Sequence, residues 1–135
     1  MDIKNYEVFN NEDIIYLTVT VTTPGISESE VEKTLVDGRT EFVAKSPNAT
    51  GIIPRTELGK AKDLVGALIE IDTDVLLDLI PKSQWPACYQ DLDIRYYFEG
   101  GKPNQNQPFT CDQGDKHKSV SGKTIGAEIY IYVTI

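Results

Sequence analysis

The sequence predicts a mainly β protein: a single-domain antiparallel β-sheet or sandwich with one or two short helices. Two observations carry this. First, three segments alternate strictly. Ile15, Leu17, Val19 and Val21 interleave with Tyr16, Thr18, Thr20 and Thr22. Leu92, Ile94, Tyr96 and Phe98 interleave with Asp93, Arg95, Tyr97 and Glu99. Ile129, Ile131, Val133 and Ile135 interleave with Tyr130, Tyr132 and Thr134. A period of two in β-branched and aromatic residues marks strands with one buried face. Second, no strand–helix rhythm is sustained, which disfavours a parallel doubly wound sheet. The 135 residues suit one domain, 1–135, large enough to bury a core without staples. The alternative is a two-layer α+β domain whose helices cover the Tyr/Thr face.

The elements follow in order. Asp13 to Thr23 reads as a strand, broken by Pro24-Gly25. Ser27 with Glu30 forms a capping-box pattern, and Val31 and Leu35 are spaced i, i+4 before Gly38. This predicts a short helix over Glu28–Asp37. Glu41–Lys45 and Ile52-Ile53 are brief strands around a turn-rich connection, and Thr56–Val65 is ambiguous. Leu68–Ile71 reads as a strand, with a turn at Asp72-Thr73-Asp74. Val75–Ile80 reads as a helix capped by Asp74 and ended by Pro81, with a buried strand as the alternative. Lys82–Pro86 reads as a loop and Asp91–Glu99 as a strand. Gly100–Lys123 is a long polar connection, and the chain closes on the strand that ends at Ile135. The first and last strong strands are expected to share a sheet.

The formal charge is -8. An acidic chain opposes non-specific nucleic-acid binding, which needs basic patches. It favours encounter with basic partners. No apolar run approaches a membrane span. The polar Met1–Glu7 stretch lacks a signal-peptide layout, so the expected location is cytoplasmic, with Cys88 and Cys111 reduced.

Catalytic patterns are sparse. His117 is the only histidine, and it sits between two lysines. No nucleophile elbow surrounds Ser119 or Ser121, and no phosphate-binding glycine pattern is present. Cys111, Asp112, Asp115 and His117 match no structural zinc spacing. Asp72, Asp74 and Asp78 lack the rest of a calcium loop. Asp91, Asp93, Arg95 and Glu99 read as an ion-pair surface. The sequence therefore assigns no catalytic residue, no metal and no cofactor.

The leading expectation is a non-enzymatic protein-interaction module, in one version an acidic inhibitor or immunity-type protein. A structural subunit of a larger assembly is the alternative, which leaves a homo-oligomer open. A small metal- or carboxylate-dependent hydrolase is the third reading. The expected partner is another protein, neither nucleic acid nor membrane. Lys102, Phe109, Lys116, His117 and Lys118 of the long connection are the first candidate contacts, because polar loops held between strands often carry recognition. Tyr97, Tyr130 and Tyr132 are the others, as tyrosines on the polar faces of strong strands.

Overall fold

The period-two segments become strands, and their apolar sides face one another. A computed structural model describes residues 3–135; Met1 and Asp2, part of the polar N-terminal stretch, lie outside the described residues. The strands are β1 (Ile3–Glu7), β2 (Ile14–Thr22), β3 (Ile26–Thr34), β4 (Thr40–Lys45) and β5 (Ile53–Lys60). They continue with β6 (Leu68–Leu76), β7 (Asp93–Glu99), β8 (Phe109–Thr110), β9 (Lys116–Lys118) and β10 (Thr124–Thr134). Two short helices interrupt them, α1 (Ala61–Leu64) and α2 (Trp85–Asp91).

The larger sheet runs β1-β10-β6-β3-β4, with β9 also on β10, and the smaller runs β5-β2-β7-β8. Pairing is antiparallel except for β1, which lies parallel to β10. The inner faces of both sheets meet in one core. Ile15, Leu17 and Val19 of β2, Ile94 and Tyr96 of β7, and Ile129, Ile131 and Val133 of β10 all belong to it, as does Leu92 just before β7. The chain is thus mainly β, two sheets with few short helices, and the α+β alternative falls away.

Four readings are corrected. The predicted helix over Glu28–Asp37 is strand β3. Ser27, Ser29 and Val31 point into the core while Glu28, Glu30 and Glu32 point outward. The buried serines weaken the apolar signal, and a helix here would have had only Val31, Leu35 and Val36 as apolar residues. Ladder partners on both sides decide for the strand. The Ser29 hydroxyl meets the Thr73 hydroxyl at 2.7 Å, and the Ser29 N–H donates to Ser46 Oγ at 3.0 Å, whereas the buried Ser27 hydroxyl has no partner among the described residues.

The predicted turn at Asp72–Asp74 and helix at Val75–Ile80 dissolve in the same way. β6 runs without a break to Leu76, flanked by β3 and β10. Strand α-to-β competition in so short an apolar run is settled only by its neighbours. The predicted loop Lys82–Pro86 runs into a helix instead, since Trp85 and Pro86 form the first turn of α2, where proline is tolerated. Finally, β2 and β10 sit in facing sheets rather than one sheet. The parallel β1–β10 pair holds the two chain ends together instead.

Candidate functional site

The outward side of the larger sheet follows from alternation and register. On β3 the outward positions are Glu28, Glu30 and Glu32; on β6 they are Glu70, Asp72 and Asp74; on β10 they are Gly126, Glu128 and Tyr130. The register sets Glu28 against Asp74, Glu30 against Asp72, and Glu32 against Glu70. It sets Asp72 against Glu128, Glu70 against Tyr130, and Asp74 against Gly126. Seven of these nine positions are therefore carboxylates, in three rows across three adjacent strands. Neighbouring strands lie about 4.8 Å apart. Like charges directly opposite are destabilising, so the fold holds this array at a cost.

The charge is crowded enough to change its own chemistry. Oxygens of Glu70, Asp72 and Glu128 lie within 4.8 Å of one another. Burial pushes the Asp72 carboxyl up to about 7, with Glu70, Glu128, Asp74 and Glu32 adding repulsion. Burial also raises Glu70. The Tyr130 hydroxyl donates to Glu128, and this bond raises the phenol well above its ordinary value. The Lys45 ammonium, beside Glu28 at 2.7 Å, is the cation at the β4 margin.

Apolar side chains frame the array. Ile26 and Leu76 pair at one end, Phe42 lies beside Glu32 on β4, and Ile3 lies beside Tyr130 on β1. Tyr132 extends β10 beyond Tyr130. All five are exposed, Phe42 at 62%. Together they put a carboxylate field inside an apolar rim, on an open sheet face.

His117 reaches this face from β9. It pairs with Gly126, and its Nε2 lies 3.9 Å from Asp74 Oδ1. Gly126 has to be glycine, since a Cβ there would sit 2.2 Å from the Thr73 carbonyl oxygen and 2.6 Å from His117 Cε1.

The remaining sequence candidates are scattered. Tyr130 and Tyr132 join His117 on the larger sheet, whereas Tyr97 faces outward from the smaller one. Much of the long connection is tied down. Phe109 is half-buried, edge-on to Phe98 at 5.8 Å between centroids. The Glu7 N–H donates to Gln105 at 2.6 Å, and the Gly101 N–H donates to the Tyr6 hydroxyl at 2.8 Å. Lys102 lies 3.9 Å from Glu7 and over the Phe9 ring. Lys116 donates to the Tyr89 and Gln90 carbonyls at 3.1 and 2.8 Å. Lys118 lies 4.9 Å over the Tyr89 ring.

Asp72, Asp74 and Asp78 part company, since Asp78 pairs with Lys123 at 3.2 Å. Arg95 pairs with Asp93 at 3.1 Å, and Glu99 with Arg55 at 2.9 Å, as a surface of ion pairs. Cys88 and Cys111 are free thiols, and burial raises the Cys111 thiol.

In the sequence Glu28, Glu30 and Glu32 read as the acidic N-terminal end of the predicted helix. The signal that finds the array is the strict alternation of Ser27 to Glu32, read as a strand. Among the described residues, no helix is long and apolar enough to cross a membrane. No protein-family model matches the chain, and neither a curated protein nor a solved structure matches it.

Proposed function

We propose that this protein is a non-enzymatic binding module whose carboxylate-bearing sheet face takes the basic surface of another protein, in the manner of an acidic inhibitor. The observation that carries this is the set of in-register oppositions, Glu28–Asp74, Glu30–Asp72, Glu32–Glu70 and Asp72–Glu128. Sheets ordinarily avoid such pairs. Sequences break local rules mainly where function requires it. A partner's lysines or arginines would relieve the repulsion, so energy held against folding returns on binding. The rim of Ile3, Ile26, Phe42, Leu76 and Tyr132 favours a protein surface over a bare cation, because it offers apolar area to bury. The same charge argues against face-to-face pairing of two copies, since a two-fold contact sets like against like.

The test is affinity capture from the native source with the wild type and two variants. One neutralises the face by Glu30→Gln, Asp72→Asn and Glu128→Gln. The other neutralises carboxylates elsewhere, Glu57→Gln and Asp91→Asn. The expected partner is basic, elutes as salt rises, and is lost only with the face variant. Retention by the face variant overturns the reading. Tight stoichiometric calcium binding by the wild type, abolished in the face variant, would replace it with a cation site.

A further inference from the structure

A second site lies on the other side of β9 from the carboxylate face and stands independently of it. Successive strand residues point to opposite sides. His117 goes to the carboxylates, and Lys116 and Lys118 go toward α2. There Lys82, Trp85, Tyr89, Lys118 and Val120 line a cleft of about 180 Å³, whose lining among the described residues includes no carboxylate. One wall is α2 with the turn before it, and the other is the β9–β10 hairpin.

The walls are braced. The Trp85 indole N–H donates to the Leu77 and Ile80 carbonyls at 3.0 and 2.9 Å, which fixes the ring and leaves its remaining surface apolar. The Lys116 ammonium bonds the last carbonyls of α2 and so ties β9 to that helix. Within the hairpin, the Ser119 N–H donates to the Thr124 carbonyl at 2.8 Å, and the Thr124 N–H donates to Ser119 Oγ at 3.1 Å.

The charge distribution singles the cleft out. Of thirteen Lys and Arg side chains, ten pair with a carboxylate. Among the described residues, the three that do not are Lys82, Lys116 and Lys118. Lys116 is engaged by α2, and the other two both line this cleft. On a chain of net charge -8, Lys82 and Lys118 are thus two ammonium groups without a carboxylate partner among the described residues, and they line the same cleft as a fixed indole and a phenol ring.

The geometry points to a small aromatic anion. Its single ring would lie against Trp85, and its carboxylate or phosphate would sit between Lys82 and Lys118, the latter lying 4.9 Å over the Tyr89 ring. The volume agrees, since a cavity of about 150 Å³ accommodates benzene. Aromatic faces supply the contact area, and the ammonium groups supply charge-assisted hydrogen bonds.

Trp85 is the only tryptophan, so its fluorescence reports this cleft directly. The full chain is titrated with benzoate, phenyl phosphate, the neutral ring benzamide and the ringless anion acetate. Benzoate and phenyl phosphate are expected to shift the emission with dissociation constants of about 1 mM, the range for ligands of this size. Benzamide and acetate are each expected to bind at least about tenfold more weakly. Lys82→Ala with Lys118→Ala is expected to remove the preference for benzoate over benzamide while leaving the thermal midpoint unchanged. Equal binding of benzoate and benzamide to the wild type overturns the proposal, even if the double variant fails to fold. Absence of any anion-induced shift, or a preference that survives in a folded double variant, does so as well.

Discussion

Replacing Asp72 by Asn should stabilise the protein, and the gain should depend on pH in a direction that the carboxylate array dictates. Asp72 lies directly between Glu30 and Glu128. Each directly opposed like-charge pair costs roughly 0.2–1 kcal/mol. Removing both should therefore recover roughly 0.4–2 kcal/mol where all three are ionised, and relief from burying the charge adds to this. The unfolding entropy of about 2.1 cal/mol/K per residue, over 135 residues, makes 1 kcal/mol worth about 3–4 °C. The expected rise in Tm at pH 8 from relieving these two pairs is thus about 1.5–7 °C, to which the relief from burial adds.

The sign across pH follows from linkage. The Asp72 carboxyl is raised from 3.8 to about 7, chiefly by burial. Between those values the folded protein holds a proton that the unfolded chain has released, so stability contributed by this group falls as pH rises through the window. Above it the penalty is complete; below it both states are protonated and the penalty is gone. Asn reproduces the neutral side chain at every pH. The difference between variant and wild type should be small at pH 4, grow through pH 5–7, and level off by pH 8. Thermal melts of both proteins across this range measure it, with Asp91→Asn as a control away from the array. Added salt should shrink the gain by screening. A variant no more stable than wild type at pH 8, or equally stabilised at pH 4, would refute the argument that the array is held against repulsion.

Two further outcomes test the packing. Ile131 is fully buried in the shared core, so Ile131→Ala should cost about 2–5 kcal/mol in urea unfolding, whereas the outward Tyr132→Ala should stay within about 1 kcal/mol. Gly126→Ala should cost about 1–3 kcal/mol by overpacking, and adding His117→Ala should not restore it, because the nearer obstacle at 2.2 Å is the Thr73 backbone oxygen.

Alternation along the chain is enough to establish the β class and the buried side of its strongest strands. In Ile14–Thr22, Asp93–Glu99 and the end of β10, branched and aromatic residues alternate with polar ones, a pattern that only a half-buried pleat can use. Its limit is visible in β3. There serines occupy the inward positions, and the local capping pattern at Ser27 and Glu30 points to a helix. Pairing with β4 and β6 outweighs that local preference, because a central strand satisfies its backbone on both sides. Sheet membership was equally out of reach, since β2 and β10 carry the same alternation and join different sheets.

Both proposed sites belong to the tertiary structure. Glu30, Asp72 and Glu128 are far apart in the chain and meet only through register, and register is a long-range choice. Lys82 and Lys118 look like ordinary solvated lysines along the sequence. Their lack of carboxylate partners among the described residues, beside the fixed ring of Trp85, exists only in the folded arrangement of the other cations.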